Sequence, residues 1–373
     1  MKYFIIAGEA SGDLHASHLI KEIVKKDAEA EIRGWGGDLM VREGMILDQH
    51  YKASAFMGFY EVVANLNRVV KNIRRCKKQI LQFQPDALIL VDYPGFNMRI
   101  AEFAAKQDFK VFYYIAPKAW AWKKSRAKKL SKTLDKLFAI LPFEEAFFKD
   151  YGLKTEYVGN PLLDYLDLET KEEEKEEFFL INKLERRPII ALFPGSRKQE
   201  INTILPEMLK LTGLYKDYQF VIGGAPSQDL AIYQQHMKGH NLQVLFSQGQ
   251  ELMKYSKAAL ITSGTATLEA ALLNLPQVIC YKGDKISVEI ARHLVNIKYI
   301  GLANLIMNES VIPELIQEDM SIDRMSEELD LMLHDPIRRE KLFKDYTRLK
   351  EVVGGPGASA KAAEGIIQEL RLR

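Results

Sequence analysis

The sequence predicts two α/β domains, each on a parallel sheet, and three observations predict it. Short apolar runs recur along both halves and close in small-residue turns that open helices. Tyr3–Ala7 before Gly8-Glu9-Ala10-Ser11-Gly12-Asp13 is one, and Leu260-Ile261-Thr262 before Ser263-Gly264-Thr265 is another. Ala87–Val91 is apolar without alternation, the pattern of a strand covered on both faces of a parallel sheet. The length, 373 residues, suits two domains, each with its own core. The charge run Glu172–Glu177, broken only by Lys175, reads as a solvated helix or insertion near the junction. The boundary is expected between 160 and 186 and is set so that the domains are 1–165 and 166–373.

Composition fits a globular protein, with 47% apolar and 27% charged residues. The net charge of +2 gives no argument for a nucleic-acid partner. Two cysteines, Cys76 and Cys280, exclude a disulfide framework and a Cys-rich zinc site, and they fit a reducing compartment. The N-terminal apolar run before Gly8 is too short for a signal-peptide core and reads as a first strand. No apolar run approaches the roughly 20 residues of a membrane span. A cytoplasmic protein is expected, with any membrane contact peripheral.

In the first half, strand Tyr3–Ala7 leads through the 8–13 turn into a helix ending at Val24. Its glycines allow close backbone approach, and the helix start offers an anion site, although the turn is not a GxGxxG fingerprint. A plain strand-to-helix turn with a capping Asp13 explains it equally well. His15 and His18 on this helix lack a third metal ligand and read as solvent or core histidines. Short strands Glu31–Gly36 and Met45–Asp48 flank a helix reaching Glu43. A helix to Phe83 follows Met57-Gly58-Phe59-Tyr60-Glu61-Val62-Val63, with Val62, Leu66, Val69, Val70 and Ile73 as its apolar stripe. Arg68, Lys71, Arg74, Arg75, Lys77 and Lys78 crowd the rest of it. That pattern suits an anionic membrane surface, or a core helix with a solvated basic face.

Strand Ala87–Val91 ends in Asp92-Tyr93-Pro94-Gly95-Phe96-Asn97. Ligands of open α/β sheets sit beyond the carboxyl ends of strands, so Asp92 is a candidate general base, or else a helix cap. Strand Phe109–Ile115 leads to Trp120-Ala121-Trp122, aromatics that suit a sugar, an acyl chain, a membrane face or the core. A second basic stretch runs from Lys123 to Lys132; strand Lys136–Leu141, helix Phe143–Tyr151 and strand Glu156–Gly159 complete the half.

The second half repeats the rhythm. Strand Pro188–Phe193 closes in Pro194-Gly195-Ser196-Arg197 before a helix from Glu200 to Tyr215. Strands Phe220–Ile222 and Val244–Phe246 and a helix Glu251–Ser256 precede the Leu260 strand. The Ser263-Gly264-Thr265 turn opens a helix to Leu275, stopped by Pro276, and strand Gln277–Tyr281 follows. Such a turn exposes backbone N–H groups at a helix start, which suits a diphosphate, or it merely packs helix on strand. Glu269, one turn in, is placed for a ribose hydroxyl. A helix through Glu289–Val295 precedes Gly301–Ile306, and helices at about 321–334, 336–351 and 359–371 finish the chain. Gly354-Gly355-Pro356-Gly357 gives the final helix a way to cross back to the first domain.

The chemistry thus falls at strand ends: Asp92 in the first half, and Arg197 with the 263–269 loop in the second. Across a cleft, a base would meet an anion site where an arginine and a helix N-terminus stabilise a departing diphosphate. The chain has no DxD, HExxH, GxSxG or Walker A motif. The residues therefore read as a metal-independent glycosyltransferase using a nucleotide sugar, with no cofactor.

Taken in order, the segments resemble the lipid A disaccharide synthase family over essentially the whole chain. They are Gly8–Asp13, Met57–Val62, Asp92–Asn97, Trp120–Trp122, Leu141-Pro142-Phe143-Glu144, Leu192–Arg197, Ser263–Glu269 and Asn304-Leu305-Ile306. The resemblance implies an inverting, two-Rossmann (GT-B-like) enzyme whose domains face each other. It implies transfer from UDP-2,3-diacylglucosamine to the C6 hydroxyl of 2,3-diacylglucosamine 1-phosphate (lipid X), giving a β-1,6 disaccharide and UDP in lipid A biosynthesis. Asp92 matches the family's proposed general base, Arg197, counted with the catalytic residues, matches its UDP-contacting arginine, and Asn304 matches an asparagine needed for activity. Gly195, Ser196, Arg197, Ser263, Gly264, Thr265 and Glu269 match the UDP site. Glu9, Ser11, Gly12, Asp13, Trp120 and Trp122 are assigned to the acceptor side. Met57, Phe59, Tyr60, Val62, Val63 and Leu66 are assigned to the inner-leaflet membrane surface, and the family allows a homodimer. Many members carry a second Asp where Gly95 stands, so the base role concentrates on Asp92. A UDP-N-acetylglucosamine 2-epimerase, another UDP-sugar transferase and a non-enzymic binding module are the competing readings.

Overall fold

The computed structural model describes residues 1–54, 66–107, 109–122, 124–169, 171–283 and 298–372. The described chain divides into two units, Met1–Tyr165 with Gly354–Arg373, and Leu166–Val353. Residues 354–373, assigned to the second domain from sequence, therefore group with the first.

The first unit's strands are β1 (Lys2–Ala7), β2 (Glu31–Gly36), β3 (Ile46–His50), β4 (Ala87–Val91), β5 (Lys110–Tyr114), β6 (Lys136–Ala139) and β7 (Thr155–Tyr157). They form one parallel sheet in the order β3-β2-β1-β4-β5-β6-β7. The chain runs outward through β1, β2 and β3, then returns to the other side of β1, so the switch point lies between β1 and β4. Alternate residues serve two cores. Tyr3, Ile5, Ala7, Ile89 and Val91 pack with Leu19, Ile20 and Ile23 of helix Ala10–Lys26 and with Ala362 and Ile366 of the last helix. Phe4, Ile6, Leu88 and Leu90 pack on the opposite face with Cys76, Ile80, Ile100 and Phe148.

The last helix, Ala358–Arg371, is held to this sheet at both ends. The Asp164 carboxylate accepts from the N–H groups of Gly357 (2.6 Å), Ala358 (3.0 Å) and Ser359 (2.8 Å), capping the helix from a distant part of the chain. Gly365 lies flat on Phe138, where a Cβ would come within 2.5 Å of the ring. Glu369 receives Lys154 at 2.6 Å and Lys136 at 3.5 Å.

The second unit's strands are β8 (Ile189–Phe193), β9 (Gln219–Gly224), β10 (Gln243–Phe246), β11 (Ser256–Ile261), β12 (Gln277–Tyr281) and β13 (Glu314–Ile316), in the order β10-β9-β8-β11-β12-β13. The register is again parallel, and the switch point lies between β8 and β11. β13 is absent from the sequence reading because three residues opening on a glutamate carry no strand pattern.

Two helices are shorter than expected, for identifiable reasons. The helix starting at Lys198 ends at Leu209, where Leu211 and Thr212 donate to carbonyls three residues back and tighten the turn. The helix Thr265–Leu272 ends before Pro276: Asn274 adopts φ +59° and Leu275 N donates to Ala270 O at 2.8 Å, a Schellman-type closure. The expected helix through Glu289–Val295 lies outside the described residues.

Candidate active site

In each unit two of the turns singled out from sequence meet at that unit's switch point, 8–13 with Asp92 in the first and 194–197 with 262–265 in the second. In the first, Ala7 pairs with Val91, so the chain leaves β1 into Gly8-Glu9 directly beside the point where it leaves β4 into Asp92. Gly8 has to be glycine here, since a Cβ would lie 2.2 Å from the Tyr93 ring. Gly12 brings the helix down on the strand end, its missing Cβ only 3.3 Å from that of Ala7.

Asp92 and Tyr93 both adopt left-handed backbone, φ +45° and +49°. For a non-glycine residue this costs roughly 1–2 kcal/mol, and it turns the chain sharply off β4 into helix Pro94–Ala104. Burial pushes the Asp92 carboxyl up to about 6, the nearby Glu9 carboxylate adds to the rise, and Lys118 and the Tyr93 N–H oppose it. A half-buried carboxyl tuned toward neutrality at a strand end is suited to general-base work.

The other first-unit candidates divide. Glu9 and Ser11 are exposed at the start of helix Ala10–Lys26. Asp13 is turned into the unit. It is 3% exposed, and its carboxylate accepts from the N–H groups of Gly37 (2.8 Å), Leu39 (3.2 Å) and Met40 (3.2 Å), capping the helix Asp38–Arg42. Trp120 is half-buried, edge-on to Phe143, and donates its Nε1–H to Glu144 at 3.0 Å. Trp122 closes the short helix Ala119–Trp122. Glu144 escaped the sequence reading as a functional residue. It is 2% exposed, and burial pushes it up to about 7 although Trp120, Ile140 N and Leu141 N all donate to it. Lys118 lowers both Glu144 and Asp92, so one cation serves two carboxyls.

In the second unit Ile261 pairs with Phe193, which sets the Pro194–Arg197 turn beside Thr262–Thr265. Gly195 has φ +111° and no room for a Cβ, which would lie 2.5 Å from Glu200 Oε2. That carboxylate accepts from Ser196 N (3.1 Å) and Arg197 N (3.2 Å) and meets the Arg197 guanidinium at 3.3 Å. The Ser196 and Arg197 amides are thus taken by Glu200, while the Arg197 side chain is 74% exposed. The adjoining helix Thr265–Leu272 has Gly264 as its N-cap, φ +146°, with no side-chain cap. Thr267 N donates to Gly264 O at 3.3 Å, while the N–H groups of Thr265 and Ala266 precede the first intrahelical acceptor. Thr267 Oγ1 donates to Gly264 O at 2.8 Å and Ser263 Oγ to Ile300 O at 3.2 Å, which fixes the turn. Glu269 is half-buried; burial raises it to about 7, and a Gln250 hydrogen bond opposes the rise.

Asn304, expected among the catalytic residues, is placed otherwise. It is fully buried; Nδ2 donates to Ile312 O and Glu314 Oε1, each at 2.8 Å, while Oδ1 accepts from Val311 N and Ile312 N, each at 2.9 Å. Its four hydrogen bonds are all made inside the chain, and they bolt the 301–314 segment beside the Ser263 turn. Glu314 completes that bolt, accepting from Ile300 N and Gly301 N at 2.9 Å.

The membrane-facing assignments at Met57, Phe59, Tyr60, Val62 and Val63 lie outside the described residues, and Leu66 opens the helix Leu66–Phe83. The inner face of that helix is Ile73, Cys76 and Ile80, whereas Val70, expected in the apolar stripe, is 39% exposed. Arg75 is tied to Gln49 Oε1 at 2.7 Å, and Lys77 lies over Phe103. Arg68, Lys71, Arg74 and Lys78 are exposed. No helix among the described residues is long and apolar enough to cross a membrane.

A family model described as lipid-A-disaccharide synthetase matches residues 3–364. A lipid-A-disaccharide synthase of Geobacter metallireducens is 34% identical over 375 residues, covering 99% of this chain and 97% of the relative. One from Syntrophus aciditrophicus is 36% identical over 366 residues, covering 96% and 95%. Among solved structures, the UDP-GlcNAc 2-epimerase of Neisseria meningitidis bound to UDP-GlcNAc superposes with a TM-score of 0.68 over 100% of both chains at 14% identity, a likeness of fold alone.

Proposed function

The chain belongs to the lipid-A-disaccharide synthetase family and is a glycosyltransferase that forms the lipid A disaccharide, and within that reaction we propose a division of labour between the two switch points. The donor is UDP-2,3-diacylglucosamine and the acceptor is 2,3-diacylglucosamine 1-phosphate. The Asp92 carboxylate takes the proton from the acceptor's C6 hydroxyl. That oxygen attacks the anomeric carbon from the face opposite the diphosphate. The C1–O bond breaks, its electron pair leaves with UDP, and the configuration inverts. Arg197 and the N–H groups opening helix Thr265–Leu272 take up the charge that develops on the diphosphate. Glu269 holds the ribose. Glu9 and Trp120 contact the acceptor sugar.

The observation that carries this reading is the placement of both groups at their own sheet's switch point: a raised carboxyl after β4, and an exposed arginine beside an uncapped helix start after β8 and β11. Asp92→Asn should abolish disaccharide formation from the two acylated sugars while leaving UDP binding intact. Near-normal turnover would remove Asp92 from the chemistry. An epimerase would instead interconvert UDP-sugars without an acceptor.

The protein meets its lipid substrates at an anionic membrane surface through the exposed cations of helix Leu66–Phe83. Reversing Lys71, Arg74 and Lys78 to glutamate should release the protein from vesicles rich in anionic lipid; undiminished co-sedimentation would exclude that face.

A further inference from the structure

The polar groups around the Asp92 backbone are more numerous than a strand end needs. Asn97, in the first turn of helix Pro94–Ala104, reaches back over the sheet. Its Nδ2 lies 2.8 Å from Asp92 O, 3.2 Å from Val91 O and 3.4 Å from Ile6 O. It thereby spans β4 and β1 where the two strands part and their last carbonyls leave the ladder. Tyr113, on β5, donates its hydroxyl to the same Asp92 carbonyl at 2.6 Å, and Asp92 N donates to Tyr114 O at 3.3 Å. Both Asn97 and Tyr113 are fully buried.

These bonds converge on a residue in a strained conformation. Two consecutive left-handed residues persist only where their surroundings over-determine them. The geometry points to Asn97 and Tyr113 as positioning residues that clamp the Asp92 carbonyl and so hold its carboxylate in the reactive direction. This rests on the reading of Asp92 as the base. Asn97 touches three carbonyls and no substrate; Tyr113 acts from beneath the sheet end. Burial, with the facing charges of Glu9 and Lys118 and the Tyr93 N–H, sets the protonation of the Asp92 carboxyl, whereas the clamp sets its direction. The two contributions are therefore separable.

Tyr113→Phe removes one hydroxyl and keeps the ring in its core. Measured with the two acylated sugars, it should lower kcat roughly 10- to 100-fold, the range expected when a reacting group is misplaced by about 1 Å. KM for donor and acceptor and the melting temperature should stay near wild type. Asn97→Ala should lose kcat in the same sense. A folded Tyr113→Phe with wild-type kcat overturns the inference, whatever Asn97→Ala does. So does a change in KM alone. The base reading fails separately, through Asp92→Asn itself retaining turnover.

Discussion

Asp92 is held by a trade between stability and function that can be measured from both sides. Burial and Glu9 raise its carboxyl to about 6. A base must be deprotonated, so kcat/KM should climb with pH and level off above roughly pH 6. Glu9→Gln removes the like charge and should move that acid limb to lower pH. Lys118→Met removes the opposing cation and should move it higher. Unmoved limbs in both variants would mean that the limb belongs to another group. The same shift has a stability consequence of definite sign. A carboxyl whose folded value lies above its unfolded value makes the native state bind more protons, so stability falls as pH rises between the two. Asp92→Asn should therefore melt above wild type at pH 8, and the gap should close below pH 4, where the native carboxyl is protonated in both states. At this scale the sequence was partly legible. Asp92 and Arg197 stand out as polar residues closing apolar runs. The roles of Asn97, Tyr113, Glu144 and Glu200 are set by carbonyls, amides and an indole brought together through the fold, and no local spacing announces them. Asp13 and Asn304 show the converse, since motif position alone does not reveal that a side chain's hydrogen bonds are already spent.

Among the elements, the last helix shows most directly how packing is specified. Its Ala362, Ala363, Ile366 and Leu370 recur at helical spacing and cover the β1 and β4 face of the first sheet. The glycines at Gly354, Gly355 and Gly357 were readable as a break, and two of them adopt φ +83° and +110°. The partner was not readable, because Asp164 lies far off in sequence and acts only through the three N–H groups it caps. Asp164→Ala would strand those donors at a buried helix start. A loss of roughly 1–3 kcal/mol is expected, with amide exchange accelerating first in 358–366. Asp164→Asn, which keeps an acceptor oxygen, should recover part of it. Exchange unchanged along that helix would show that the cap is dispensable and that the apolar face alone docks it.

At the scale of the whole molecule, both sheets were foreseeable because buried parallel strands read as unbroken apolar runs, as in Ala87–Val91 and Ile189–Phe193. What pattern could not supply was strand order, and order is what makes the sites. Only after β4 returns beside β1, and β11 beside β8, do the two pairs of turns become neighbours. On the proposed division of labour, each unit carries one half of the chemistry at a strand end, the base in one and the leaving-group site in the other. That separation has a direct consequence for ligand-linked stability, because a ligand stabilises the structure it binds in proportion to its occupancy. UDP alone should slow amide exchange in 195–200 and 263–270 of the second unit. It should leave 8–13 and the 92–97 turn of the first unit exchanging as in the free protein. Arg197→Ala should weaken that protection through lost charge, while Arg197→Lys should keep a part of it without the bidentate fork. Protection appearing instead on the Gly8–Gly12 turn would reverse the assignment, placing the nucleotide on the first unit and the acceptor on the second.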